Sequence, residues 1–250
     1  MSRADFYTII RRRDSGVFGT SLTQAQVEGC ETLLAASDGL PISHRAYLFA
    51  TAYHETAYTM RPVRETLADT DDKAIARLEA AWAKGKLPWV KRAYWRKDAD
   101  GKSWLGRGYV QLTHKANYAK AGAKLGVDLV GNPDLAMQPT VAALVLVRGC
   151  SEGWFTGKRL ADYLPASGPG HPDAYMGARW VVNGTDKARL IALYARDFER
   201  ALVAMGDDPK PVAVSPAPVS VVKPAPAGEY PGFWAAIIAI IASFFKKERQ

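Results

Sequence analysis

SHRAYLFATAYHETA, residues 43–57, places Ala46, Phe49, Ala50 and Tyr53 three and four apart, the spacing that lines apolar side chains along one face of a helix. Similar patterns lie on both sides of it. Upstream, Leu22-Thr23-Gln24-Ala25-Gln26-Val27 offers a capping Thr with Gln three positions on, so a helix is expected to begin there and run toward Ala36. Downstream, residues 70–83 set Ile75, Leu78 and Trp82 behind a capping Thr and two acidic residues. Residues 113–125, 139–152, 171–182 and 186–205 complete the expected helices. Sustained alternation is nearly absent, the nearest case being Tyr109-Val110-Gln111-Leu112, so the fold class is predominantly α.

The chain has 250 residues, which favours one full domain with an appendage over two equal domains. Between residues 208 and 231 fall seven of its 15 prolines, interleaved with Ala, Val, Ser and Lys. Such a stretch reads as an extended, semi-rigid linker. The expected organisation is a folded domain over 1–206, a Pro/Ala/Val-rich linker over 207–231 and an apolar helix over 232–250 with a basic end. The apolar run GFWAAIIAIIASFF, residues 232–245, would make a helix of roughly 21 Å, short of the roughly 30 Å hydrocarbon core. Trp234 and the terminal lysines are residue types found at headgroup depth, so shallow or oblique membrane contact is expected of this tail. Ala235, Ala239 and Ser243 recur every fourth residue, a spacing that lets helices approach closely. The chain is expected to be a monomer, with the tail as its route to association.

There are 33 basic and 25 acidic residues, a net charge of +8, of which +7 falls on residues 1–206. A basic globule favours polyanionic surroundings such as anionic lipid or the bacterial wall. No motif of a nucleic-acid reader accompanies the charge, and no nucleic-acid partner is expected. The two cysteines, Cys30 and Cys150, lie in helical segments and imply neither a disulfide framework nor a zinc site. Residues 1–10 lack the apolar run and cleavage site of a secretory signal, so synthesis and storage in the cytoplasm are expected.

His54-Glu55-Thr56-Ala57 begins like a zinc-protease motif, but the residue four past His54 is Tyr58, so the second histidine is missing. A carboxylate ending an apolar helix has a different use, because partial burial favours its protonated form and suits a general acid. Past Pro62 come Glu65, Asp69, Asp71 and Asp72, any of which could face Glu55 and complete the carboxylate pair of glycoside hydrolysis. In Gly106-Arg107-Gly108, two glycines around an arginine imply close backbone approach, with the arginine aimed at something acidic or polar.

GRGYVQLTHKANYAKAGAKLGVDLVGNPDLA, residues 106–136, resembles the signature of the family 19 glycoside hydrolases, in the branch of chitinases and phage or prophage endolysins. AYHETA at 52–57 resembles that family's catalytic-acid segment, and ARWVVNG at 178–184 its late Asn-Gly segment. The resemblance runs in the family's order over about residues 20–205. It implies a lysozyme-like, two-lobed helical domain with a catalytic cleft and no metal or cofactor. It also implies Glu55 as general acid, Glu65 as general base and Thr113 as a residue holding the attacking water. Gln111, Asn117, Tyr118 and Asn183 match sugar-contacting positions, and Arg107 matches an arginine beside the catalytic centre. The ten residues between the two glutamates are similar to the endolysin spacing, whereas plant chitinases place the second farther along. The function implied is inverting hydrolysis of β-1,4 bonds in the glycan strands of peptidoglycan, causing cell lysis. Chitin hydrolysis is the alternative within the class, and a wall-binding module without activity the alternative outside it.

Overall fold

The computed structural model describes residues 2–206, and they are mostly helical. The linker and tail expected over 207–250 lie outside the described residues. The helices are α1 (Arg3–Ile10), α2 (Gln24–Ala36), α3 (Ile42–Glu55), α4 (Asp71–Ala83), α5 (Lys115–Leu125), α6 (Pro139–Glu152), α7 (Pro172–Ala178) and α8 (Ala188–Met205). Two short antiparallel strands, β1 (Val63–Arg64) and β2 (Arg107–Gly108), pair in the register Val63 with Gly108 and Arg64 with Arg107.

Local chemistry accounts for the helix boundaries. Thr23 accepts from the Gln26 amide while the Gln26 side chain accepts from the Thr23 amide, closing the capping box that the sequence displays. Thr70 caps α4 in the simpler way, and Asp71 and Asp72 place negative charge in its first turn. α6 begins with Pro139 in its first turn and stops at left-handed Gly153.

Every residue of α3 is buried. α8 packs along it and turns Ile191, Ala195, Phe198 and Leu202 inward while Arg189, Arg196 and Arg200 face solvent. Phe198 meets Phe49 of α3 at 5.3 Å between ring centroids and Tyr53 at 5.8 Å. Each fully buried side chain of this kind contributes about 1.5–3 kcal/mol through burial. A second, separate hydrophobic cluster gathers Ala74, Leu78 and Ala81 of α4 with Leu87, Trp95 and Leu105.

Residues 109–112, the nearest case of alternation in the sequence, make the turn that brings Leu112 back to Arg107, with backbone bonds of 3.2 and 2.9 Å in the two directions. One expected helix needs correction. The helix expected over 171–182 gives way to a 3-10 turn at Arg179–Val181. α1 was not anticipated, although it buries Phe6 and Ile10. Cys30 and Cys150 are free and buried.

Candidate active site

Glu55 is the last residue of α3, and its side chain is 2% exposed. A carboxylate this deep needs a partner, and the fold brings one from 124 residues away: Arg179 Nη2 donates to Glu55 Oε1 at 2.8 Å. Arg179 is itself fully buried and fixed by a second bond, from Nε to the Asp186 carbonyl at 2.9 Å. Polar groups collect around the pair without being consumed by it. Both ring nitrogens of His54, Asn183 Nδ2 and Asp186 Oδ2 are buried with no hydrogen-bond partner among the described residues. Burial lowers the His54 pKa below the usual imidazole range, leaving that ring neutral. Because each unsatisfied buried polar group costs about 1–3 kcal/mol, their concentration beside one ion pair marks a place built for more than folding.

Glu65 is treated differently. It begins the 3-10 turn after β1, is completely buried, and has both oxygens occupied. Tyr94 donates its hydroxyl to Oε1 at 2.5 Å, and the Gly106 amide donates to Oε2 at 2.8 Å. The Glu65 amide returns a bond to the Gly106 carbonyl at 2.7 Å, so β1 and the residues before β2 hold it from both sides. A Cβ on Gly106 would lie 2.7 Å from Gln111 Oε1, which explains the glycine there. Burial pushes the Glu65 carboxyl above the usual carboxylate range, against the two donors and the charge of Arg107.

The glycine-bracketed Arg107 does point at acids. With Arg64 it forms a closed ring around Asp71 and Asp134: Arg64 pairs with Asp71 at 2.9 Å and Asp134 at 2.7 Å, and Arg107 pairs with Asp134 at 3.0 Å and with Asp71. Arg107 Nη1 also donates to the Tyr118 hydroxyl at 2.9 Å, and that hydroxyl donates to the Leu105 carbonyl at 2.7 Å. Arg107 and Tyr118 are buried, and these bonds brace the segment behind Glu65 instead of presenting free groups to a sugar. Gln111 is likewise buried, its amide donating to the Val63 and Gly108 carbonyls at 2.9 and 3.3 Å. Thr113 is buried beside this turn, and Asn117 is half-buried in the first turn of α5. Of the other acids weighed against Glu65, Asp71 is held in the ring, while Asp69 and Asp72 are exposed and paired with Lys73 and Lys97.

Backbone strain singles out the same segments. The non-glycine residues with positive φ among the described ones are Ala57, Tyr58 and Met60 after Glu55, Thr66 and Leu67 after Glu65, Gln111 and His114 around Thr113, and Lys187 after Asp186. Such conformations cost on the order of 1–3 kcal/mol each and persist where the surroundings impose them, typically at functional sites. The sequence reading passed over Arg179, although it stands inside the 178–184 segment; the requirement that a buried glutamate have a cation was the available signal. Tyr94 carried no such signal, since its contact with Glu65 depends on tertiary placement. Among the described residues no group of three or more His, Cys, Asp or Glu is placed to hold a metal ion.

Residues 84–156 match the glycoside hydrolase family 19 model, described as chitinase class I. Endochitinase 2 of Solanum tuberosum is 37% identical over 90 residues, which is 36% of this chain and 25% of that protein. Endochitinase 1 of Theobroma cacao is 38% identical over 91 residues, again 36% of this chain and 25% of the relative. The match thus spans about a quarter of the length of these relatives. Among solved structures, chitinase C from Streptomyces griseus HUT6037 aligns with 84% of this chain and 78% of its own, at 17% identity and a TM-score of 0.44. The matched segment contains the 106–136 signature with Arg107, Gln111, Thr113, Asn117 and Tyr118, whereas Glu55, Glu65 and Asn183 lie outside it. The family model thus marks residues 84–156 as similar to glycoside hydrolase family 19 (chitinase class I), and the chitinase relatives agree with that likeness.

Proposed function

We propose that this chain hydrolyses β-1,4 bonds between N-acetylated sugars by an inverting mechanism, with peptidoglycan glycan strands as substrate in an endolysin role. The observation that carries the reading is the buried Glu55–Arg179 pair, set beside buried polar atoms that have no partner among the described residues. In its protonated form Glu55 transfers that proton to the glycosidic oxygen as the bond to the anomeric carbon breaks, and Arg179 pairs with the carboxylate left behind. A water attacks the opposite face of that carbon, and Glu65 takes the proton it releases. Burial makes Glu65 a stronger base than an exposed carboxylate, and contact with that water requires the Tyr94 hydroxyl to give way. Thr113 holds the water, while Asn117 and Asn183 contact the sugars. Arg107, Gln111 and Tyr118 act from behind, by fixing the backbone on which Glu65 rests.

Peptidoglycan is favoured by the net charge of +7 on residues 1–206, which suits a wall bearing carboxylates and phosphates. Chitin is the second reading, favoured by the chitinases that the chain resembles. Membrane contact through residues 232–250 remains part of the proposal. Among the described residues no helix is long and apolar enough to cross a membrane, and the tail lies outside them. Parallel digestion of purified peptidoglycan and chitin, with mass spectrometry of the new reducing ends, tests the assignment. Muropeptides with new glycan ends support the first reading, N-acetylglucosamine oligomers from chitin alone support the second, and no release from either rejects both.

A further inference from the structure

Tyr58 stands three residues past Glu55 with 46% of its surface exposed. Exposure alone means little, because single apolar side chains are common on protein surfaces. Its backbone sets it apart. Of the five large hydrophobic residues that are exposed among the described ones, Leu144, Trp180, Leu193 and Val203 occupy ordinary conformations, whereas Tyr58 has φ of 71° and follows Ala57 at 49°. A bulky residue in the left-handed region is an outlier that the surroundings must enforce.

Those surroundings are identifiable. The Tyr58 amide donates to the Tyr53 carbonyl at 2.8 Å, and the Tyr58 carbonyl accepts from Gln26 Nε2 at 3.0 Å. Gln26 is the residue whose other side-chain atom closes the capping box of α2, so one glutamine both starts that helix and locks the strained turn. Behind the ring stand Tyr53, 4.7 Å away and tilted by 45°, and Tyr194, 6.3 Å away and nearly perpendicular. Tyr53 is buried and donates its hydroxyl to the Val17 carbonyl at 2.5 Å, so the backing is rigid. Tyr194 in turn approaches His54 at 6.5 Å, tying this aromatic group to the residue next to Glu55. The fold therefore imposes strain to hold a part-exposed aromatic ring on a rigid backing three residues past the proposed acid.

We propose that Tyr58 is a sugar-binding platform, stacking on the apolar face of a pyranose ring next to the bond under attack. A pyranose in the β-1,4-linked N-acetylated series presents axial C–H groups on its faces, and an aromatic ring fixed in advance binds such a face without losing rotamer freedom. This inference rests on the glycosidase reading and goes beyond it by naming a binding residue outside the matched segment.

Binding is measured by calorimetry, using the Glu55→Gln protein as a non-hydrolysing parent, with two probes: an N-acetylglucosamine hexamer and soluble peptidoglycan strands. Adding Tyr58→Ala is expected to weaken binding of at least one glycan by about tenfold, the size of effect given by loss of one stacking contact. Adding Tyr58→Phe should leave affinity within about twofold. Tyr58→Gly separates binding from folding, because glycine accepts the positive φ: it should lose affinity like the alanine variant while its Tm equals or exceeds the parent's. Unchanged affinity in both the alanine and glycine variants overturns the platform and leaves the glycosidase reading standing. If the folded parent binds neither glycan, both the platform and the glycosidase reading fall.

Discussion

The two glutamates occupy opposite kinds of pocket. Glu55 faces a guanidinium that arrives from 124 residues away, in surroundings where several polar atoms have no partner among the described residues. Glu65 touches only neutral donors, a tyrosine hydroxyl and a backbone amide, and its two oxygens are both occupied. One carboxylate is held by charge in an unsaturated site, and the other by dipoles in a saturated one. Two carboxylates given different environments can be given different roles, and in the proposed reaction one yields a proton while the other takes one.

The largest test of this asymmetry is Arg179→Met. Removing the cation leaves Glu55 buried without a counter-charge, which typically costs about 3–5 kcal/mol, or on the order of ten degrees in Tm for a domain of this size. Adding Glu55→Gln should return much of that loss. Thermal unfolding that shows Arg179→Met as stable as the natural protein would mean that Glu55 does not depend on this pair.

Tyr94→Phe should have a smaller effect, about 1.5–3 kcal/mol at neutral pH, because it removes a hydrogen bond to a charged group but leaves the ring in place. Tyr94, the Gly106 amide, Arg107 and Tyr118 are the groups that face or act on Glu65. Of these, the Tyr94 hydroxyl favours the ionised carboxylate, so its loss raises the Glu65 pKa further. If catalysis needs ionised Glu65, the acid limb of kcat/KM should move to higher pH in the phenylalanine variant. An unmoved limb would remove Tyr94 from any role in setting that base.

Glu65→Gln should have the smallest effect on stability, and of opposite sign. The raised pKa means that the folded state binds this proton more tightly than the unfolded chain does. Its stabilising contribution is therefore complete below the unfolded pKa and is lost as pH rises through the folded one. A neutral isostere escapes that loss, and the Tyr94 hydroxyl can turn to accept from the new amide. The Tm of Glu65→Gln relative to the natural protein should accordingly climb with pH from acid to neutral. A difference independent of pH would show that the pocket does not favour the protonated acid.

Much of the fold is legible in the sequence, because helix signals are local. The Thr23–Gln26 box, the Thr70 cap and Pro139 lie within a turn of the boundaries they set. The break at Arg179 was not visible in that way, since a 3-10 turn continues the same apolar pattern while buried contacts of Arg179 decide the geometry. Of the site, the residue types were legible and their partners were not. Glu55 could be picked out from its place at the end of an apolar helix, but its burial argument lacked Arg179, 124 residues on. Arg107 was correctly expected to face acids, yet which acids, Asp71 and Asp134, depends on how α4 and the 133–137 turn come together. Tyr118 read as a sugar contact because it is polar and aromatic and matches such a position in the family it resembles, and only packing shows its hydroxyl turned inward to Arg107 and the Leu105 carbonyl.

The central claim is that Glu55 delivers the proton that breaks a glycosidic bond. It is tested most directly by the rate of reducing-end release from peptidoglycan and from chitin, compared between the natural protein and Glu55→Gln with matching circular dichroism and unfolding profiles. The account predicts measurable release by the natural protein on at least one substrate and a loss of about 10²- to 10⁴-fold in the variant. A folded Glu55→Gln protein that releases reducing ends at the natural rate would contradict it.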